Sequence, residues 1–158
     1  MAAAEPIASS GGSAQFRGRY VNKLDGKKRV SIPASFRAAL AGQGLVLRRS
    51  NRLNCIEAWP AGIFTASSSP ITPADVNLEA DDDSFYVNYA DTVDAAPDNE
   101  GRLIMDAKLL DHAGITDAIA FLGKDQIFEL WEPRAAEEMI EAARLRAQAR
   151  ALARRGGA

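Results

Sequence analysis

The chain repeats itself, and that repetition limits what it can fold into. The segment Asp25-Gly-Lys-Lys-Arg29-Val-Ser-Ile-Pro-Ala34 is matched 73 positions later by Asp98-Asn-Glu-Gly-Arg102-Leu-Ile-Met-Asp-Ala107. Asp, Arg and Ala recur unchanged, Val30/Leu103 and Ile32/Met105 keep apolar character, and Phe36 and Leu109 continue the register. A second block, Arg52-Leu-Asn-Cys-Ile-Glu-Ala-Trp59, is matched by Lys124-Asp-Gln-Ile-Phe-Glu-Leu-Trp131 at an offset of 72, so one residue has been lost between the blocks. Two separately placed matches in the same order mark a tandem duplication of a unit of roughly fifty residues.

Both copies read alike. In the first, Tyr20 to Leu24 alternates, Asp25-Gly26 turns, and Val30-Ser31-Ile32 resumes the alternation before Pro33 closes it: a strand, a tight loop and a strand. Ala34 to Ala41 has helix formers with Phe36, Ala39 and Leu40 on one face and Gly42 as a stop. Leu45 to Leu47 and Cys55 to Trp59 read as two more strands around the turn Ser50-Asn51, and Pro60 opens a short helix. In the second copy the loop Asp98 to Gly101 precedes a strand Arg102 to Met105 and a helix Lys108 to Ala113 that ends at Gly114. Strands over Ile119 to Leu122 and Ile127 to Trp131 follow, around Gly123-Lys124-Asp125.

A unit of this size cannot close a core alone, whereas two of them pairing their strands would cover each other's edges. The expected fold is mainly β with short helices (α+β): one pseudo-symmetric small barrel built from both halves, followed by a C-terminal helix. The expected boundaries are a disordered leader over 1–14, a first unit over 15–64 and a connector over 65–90. A second unit follows over 91–134, with a basic helix or tail over 135–158. The connector is Ser/Pro/Asp-rich from Ser67 to Asp83, with Ser84 to Ala90 helical.

The net charge of −2 hides a segregation. The balance is +7 from Met1 to Pro60, −14 from Ala61 to Ala143, and +5 from Arg144 to Ala158. Such asymmetry points to a polyanionic partner for the basic parts, or to opposite charges neutralising each other within the fold or between subunits. The other composition limits are exclusions. A single cysteine, Cys55, leaves no internal disulfide and suits a reducing compartment. A single histidine, His112, leaves little for a His/Cys metal site or a Ser-His-Asp triad. Asp81-Asp82-Asp83 lacks the spacing of a calcium loop. There is no Gly-rich phosphate cradle, no nucleophile with its base, no apolar run of the roughly 18 residues a membrane helix needs, and no secretory h-region in the leader. No enzyme activity, cofactor, metal, small-molecule substrate or membrane partner is expected, and the expected compartment is the cytoplasm.

The first loop concentrates Lys23, Lys27, Lys28 and Arg29 at a turn. A two-stranded ribbon can enter the major groove, where arginine pairs in bidentate fashion with guanine. Arg29 is assigned a base or phosphate contact and the lysines phosphate contacts. Asp25 repels phosphate, so its expected task is to accept turn N–H groups or to hold Arg29 in a fork. The other reading is an ordinary Asp-Gly turn with solvated lysines. Arg102 shares the assignment with less support, because Glu100 offsets it, and an Arg102–Asp98 structural ion pair is its other reading. Arg17 and Arg19 are secondary candidates with Lys23. Trp59 and Trp131 are expected in the core, and Cys55, aligned with Ile127, as a buried hydrophobe. The arginines from Arg144 to Arg155 suit either an auxiliary phosphate-binding helix or pairing with Glu137, Glu138 and Glu141 of a neighbouring subunit.

Phe16-Arg-Gly18, Leu24-Asp25 through Arg29-Val-Ser-Ile-Pro33, Asp98 through Arg102-Leu-Ile, and the strands Ile56 to Trp59 and Ile127 to Trp131 together resemble the MraZ family of bacterial transcriptional regulators. The resemblance covers roughly Gln15 to Glu138. It implies a double swapped-hairpin, AbrB-like barrel assembled into a ring-shaped homo-oligomer. It also implies a nucleoid-associated protein that binds promoter repeats in double-stranded DNA upstream of the division and cell-wall gene cluster, which includes its own gene, and represses it. The DNA-contacting elements carried over are Asp25/Arg29 and Asp98/Arg102. Two departures stand out. Lys28 occupies the usual glycine position of the first loop, at a cost if φ is positive there. Asp106 replaces the proline seen as Pro33, and is expected to loosen that junction and to add negative charge beside the second loop. The rival classes are a ring-forming scaffold that binds no nucleic acid, which salt-dependent DNA binding would separate, and the antidote half of a toxin pair, which usually carries a single unit.

Overall fold

The computed structural model describes residues 15–67 and 78–156, so the leader and residues 68–77 of the connector lie outside the described residues. The first copy supplies β1 (Arg19–Lys23), β2 (Arg29–Ser31), α1 (Ala34–Leu40), β3 (Leu45–Arg49), β4 (Ile56–Pro60) and α2 (Ala61–Ala66). After α3 (Leu78–Phe85) and a π-helical turn (Tyr86–Ala90), the second copy supplies β5 (Thr92–Ala95), β6 (Arg102–Ile104), α4 (Ala107–Ala113), β7 (Ala118–Lys124) and β8 (Ile127–Trp131), followed by the long α5 (Pro133–Gly156). The fold is mainly β with short helices and a C-terminal helix, as the duplication predicts. No described helix is long and apolar enough to cross a membrane.

Six strands form one antiparallel sheet in the order β1-β7-β8-β4-β3-β5, and β2 pairs with β6 in a separate ribbon. The order is its own mirror under exchange of the copies, since β1 corresponds to β5, β7 to β3, and β8 to β4. A pseudo-two-fold axis therefore passes between β4 and β8 and through the ribbon. Two expectations change here. The sheet is open, with β1 and β5 as its edges, and is not closed into a barrel. The strands flanking each loop are also not partners: β1 pairs with β7 and β2 with β6, so strands are exchanged between copies. The exchange serves burial. Val30 and Leu103 are the core-facing residues of their three-residue strands, and pairing them places both over one shared core.

That core is common property of the two copies. Val30, Ile32, Leu103 and Met105 of the ribbon segments pack against Leu45, Leu47, Ile56, Ile119, Phe121 and Leu130 of the sheet. Phe36 of α1 stands at the junction, with ring centroids 5.3 Å from Phe16, 4.9 Å from Phe128 and 6.4 Å from Phe121. α1 ends with Ala41 in the left-handed region, and α4 ends at Gly114 in the same conformation. α5 covers part of the other sheet face, where Cys55, Ala120, Leu122, Trp131 and Ala136 form a second cluster. Cys55 is fully buried, and that burial pushes its thiol pKa up, so it behaves as a hydrophobe.

Trp131 is buried as expected, but Trp59 is not a core residue. It lies half-buried beneath the Arg48 guanidinium, 4.9 Å from the ring centroid, and edge-on to Phe64. Glu57 and Glu129 face each other across the pseudo-two-fold axis, a like-charge pairing that opposes the strand register. Each is held by a cation and an indole: Arg48 and Trp59 on Glu57, Lys124 and Trp131 on Glu129. The pairs Arg49–Asp91 and Arg19–Glu137 join the basic first segment to the acidic middle one, so part of the segregated charge is neutralised within the fold.

Because Phe36 touches phenylalanines of both halves, Phe36→Ala is expected to cost about 3–5 kcal/mol. Urea unfolding followed by fluorescence and by circular dichroism should give one coincident transition, shifted to lower urea in the variant. Two separated transitions would mean that the copies have independent cores.

Candidate nucleic-acid interface

The two loops are built on the same hydrogen bonds. Asp25 Oδ1 accepts from the backbone N–H groups of Lys27 and Arg29, both at 2.8 Å, and its Oδ2 accepts from Arg29 Nε at 2.8 Å. Asp98 Oδ1 accepts from the N–H groups of Glu100 and Arg102, both at 2.9 Å, and Oδ2 from Arg102 Nε at 3.0 Å. Asp25 N–H donates to the Arg29 carbonyl and Asp98 N–H to the Arg102 carbonyl, both at 2.9 Å. Each aspartate therefore ties down the turn and also aligns its arginine, through one Nε bond in place of the expected two-bond fork. The backbone N–H of Arg29 chiefly, and that of Arg102 likewise, hold the Asp25 and Asp98 carboxyls below the ordinary 3.8.

The ribbon carries the arginines to one surface. Val30 and Leu103 face the core, so Arg29, Ser31, Arg102 and Ile104 face outward. Met105 N–H donates to the Lys28 carbonyl at 2.8 Å and Ile32 N–H to the Gly101 carbonyl at 2.9 Å. By the alternation of an antiparallel ladder, Arg29–Ile104 and Ser31–Arg102 are then non-hydrogen-bonded pairs, whose side chains stand closest. The two loops lie at opposite ends of this ribbon, and the exchange sets each against the helix of the other copy.

That placement changes what surrounds each arginine. Loop Asp25–Lys28 lies beside α4 and Asp111, while loop Asp98–Gly101 lies beside α1. Arg37 of α1 rests on Gly101 and donates from Nη1 to the Glu100 carbonyl at 3.2 Å. It supplies the second loop with a cation that the repeat comparison misses, because the matching position in the other copy is Leu110. Asp106 does not loosen its junction. Its Oδ1 accepts from Lys108 and Leu109 N–H groups and caps α4, and it follows Met105, which pairs with Lys28 of the first loop. Arg102 is also engaged by Glu100, 2.5 Å from its Nη2, whereas no described residue engages the Arg29 η nitrogens.

Lys27 and Lys28 are exposed on the first loop, and Lys23 ends β1 just before it. Arg17 and Arg19 are not brought to the loops. Arg19 begins β1, about 13 Å of strand from Lys23, and its Nη1 bonds Glu137 of α5 at 3.1 Å. The α5 arginines from Arg144 onward are exposed, and none forms an ion pair among the described residues. Among the described residues no cluster of three His, Cys, Asp or Glu could hold a metal ion.

Two outcomes follow from the loops themselves. Since both aspartates titrate lower in the folded chain, their stabilisation is fully present above 3.8 and is lost as pH falls through the lower folded values. Carboxyl titration by NMR should place both midpoints below 3.8, with the Arg29 and Arg102 amide shifts following. Midpoints at or above 3.8 would contradict these hydrogen bonds. Lys28 has φ +63°, and its counterpart Gly101 has φ +78°. Lys28→Gly removes left-handed strain of about 1–2 kcal/mol against an unfolded-state entropy of about 0.5–1 kcal/mol, so thermal unfolding should move up by a few degrees. Gly101→Lys should move it down, because Arg37 occupies the space of a Cβ.

The chain matches the model of the family described as "MraZ protein, putative antitoxin-like" twice, over residues 15–83 and 89–155. It is 44% identical over 147 residues to the transcriptional regulator MraZ of Gluconacetobacter diazotrophicus, covering 89% of this chain and 93% of that one. It is 41% identical over 146 residues to the protein of the same name from Gluconobacter oxydans, covering 89% of each. With that from Rickettsia rickettsii it shares 36% identity over 131 residues, covering 81% of this chain and 88% of the relative. The duplication, the paired aspartate–arginine loops and these matches agree, and the chain belongs to the MraZ family.

Proposed function

We propose that this chain is a sequence-specific DNA-binding transcriptional regulator that reads the major groove with the outer face of the β2–β6 ribbon. The observation that carries the reading is the placement of Arg29 and Arg102 on one solvent-facing ribbon, each aligned through Nε by an aspartate. Fixing Nε leaves the Arg29 η nitrogens for the guanine O6 and N7 edge, while at Arg102 Glu100 holds one of them. The aspartates Asp25 and Asp98 are positioning residues, Arg29 and Arg102 the base contacts, and Lys27 and Lys28 phosphate contacts that set the register. Relatives named as transcriptional regulators support the same class.

The finer parts of the proposal rest on the family resemblance. They are repression of the division and cell-wall cluster including its own gene, binding to promoter repeats, residence on the nucleoid in the cytoplasm, and assembly into a ring. Exchange of strands between copies supports the swapped-hairpin, AbrB-like description, and the open edges β1 and β5 with exposed Tyr20 and Val21 on β1 suit covering by neighbours.

The test is a set of binding isotherms at several salt concentrations on DNA from upstream of the gene. Arg29→Ala should cost about 1–3 kcal/mol per contact, multiplied where several subunits bind together. Arg102→Ala should cost less, because Glu100 already occupies its Nη2, and Glu100→Gln should tighten binding. Lys27→Ala with Lys28→Ala should flatten the salt slope by about 0.9 for each lost phosphate contact. Wild-type binding by Arg29→Ala would overturn the assignment. Light scattering on the same samples should show a discrete species many times 16.9 kDa, and a monomer would overturn the ring.

A further inference from the structure

The outer face of the ribbon is symmetric in its arginines and asymmetric in the residues beside them. Arg29 corresponds to Arg102, but Ser31 corresponds to Ile104. Ile104 is 72% exposed, the most exposed of the large apolar side chains described. The fold does not require an apolar group there, since the equivalent position in the other copy is a serine in the same strand geometry. A lone exposed isoleucine is commonplace on a protein surface. This one, however, stands directly across the ladder from Arg29, in a close non-hydrogen-bonded pair, with Lys28 next along the facing strand. An apolar side chain set among cations on a polyanion-binding surface has one apolar feature of duplex DNA to meet. In the major groove that feature is the C5-methyl group of thymine, and the minor groove does not display it.

We infer that Ile104 is a specificity-determining residue that packs on a thymine methyl beside the base pair read by Arg29, while Ser31 at the other end of the ribbon imposes no such demand. The inference deepens the ribbon reading proposed above and rests on it. A Cα separation of about 4.5 Å between paired residues is close to the roughly 3.4 Å rise of one base step, so the thymine lies within one or two base pairs of the guanine contacted by Arg29. Each ribbon thus reads an asymmetric site: a guanine with a neighbouring thymine at the Arg29 end, and a guanine alone at the Arg102 end. The direction in which each subunit lies on its DNA element follows from that asymmetry.

The experiment uses the full chain and duplexes selected by it from a random library, with each thymine replaced singly by deoxyuridine, which lacks only the methyl. One deoxyuridine position should weaken wild-type binding about fourfold, the equivalent of one buried methyl group. Ile104→Ser, which copies the residue the fold already accepts at Ser31, should bind the thymine and deoxyuridine duplexes alike while keeping its dependence on Arg29. If every deoxyuridine substitution affects wild type and Ile104→Ser equally, the thymine contact is wrong although the ribbon still binds DNA. If Ile104→Ser changes the mass in light scattering, Ile104 is a subunit contact and the inference falls. If Arg29→Ala selects and binds the same duplexes as wild type, the ribbon reading itself fails and takes the inference with it.

Discussion

The pairing of Val30 with Leu103 at the centre of the β2–β6 ribbon is the contact on which the rest depends. Each strand is only three residues long and has one core-facing side chain, too little to hold a place in a sheet by itself. Pairing across the pseudo-two-fold axis lays both residues over a core that already receives residues from both copies. The consequence reaches the surface directly. Once Val30 and Leu103 point inward, the period of two in a strand obliges Arg29, Ser31, Arg102 and Ile104 to point outward. The candidate interface is therefore the reverse side of the core contact, and its geometry is set by packing that has nothing to do with a ligand.

The loops at either end of the ribbon work as orienting devices because an aspartate is short. Its two oxygens span the turn N–H groups and the arginine Nε with bonds of 2.8–3.0 Å, so one side chain restrains backbone and guanidinium together. An arginine free in solution loses considerable rotamer entropy when it meets a partner. One held through Nε has surrendered part of that entropy during folding, which is the general advantage of preorganisation. The exposed carboxylate of each aspartate is occupied by two turn N–H groups and the arginine Nε, which offsets its charge and eases the conflict between an acid in the motif and a polyanionic partner.

Much of this was legible in the sequence. The duplication showed in two blocks of matched residues, the strands and short helices followed from alternation and from glycine or proline stops, and the task of Asp25 followed from its position before a turn. What escaped was the pairing. Tyr20 to Leu24 and Val30 to Ile32 flank a tight loop and look like a hairpin, because local periodicity says which face of a strand is apolar and not which strand lies beside it. Two other readings, at Asp106 and Trp59, also fail on what lies beside each residue in space. Adjacency in sequence puts Asp106 beside the second loop, whereas the exchange sets its segment by Lys28, and its side chain caps α4. The contact of Arg37 with Gly101 has no signal in the repeat, because the matching position is Leu110. Trp59 reads as core by analogy with Trp131, and both alternate with a glutamate onto the face away from the shared core; α5 covers that face over Trp131, whereas Arg48 and Phe64 flank Trp59 and leave it half-buried. The barrel was expected because pairing the copies was taken to close the sheet, and β1 and β5 are left as edges instead.

Joining two copies in one chain removes a restriction that a dimer of identical chains would carry. In such a dimer every residue near the axis appears twice, so a change on one side is made on both. Here the matched positions have diverged: Lys28 against Gly101, Ser31 against Ile104, Arg37 against Leu110, and Pro33 against Asp106. The divergences are coupled through the exchange. Gly101 leaves room for Arg37, which sits where a Cβ would be, and the reciprocal site has Leu110 near Lys28, where no such room is needed. Asp106 gives α4 the cap that α1, starting from Pro33, does without. The aspartate–arginine pairs, by contrast, are the same in both copies to within 0.2 Å in the arginine Nε bond, 2.8 Å against 3.0 Å. One symmetric frame thus carries two different things: the arginines are oriented alike at both ends of the ribbon, and the chemistry around each of them differs.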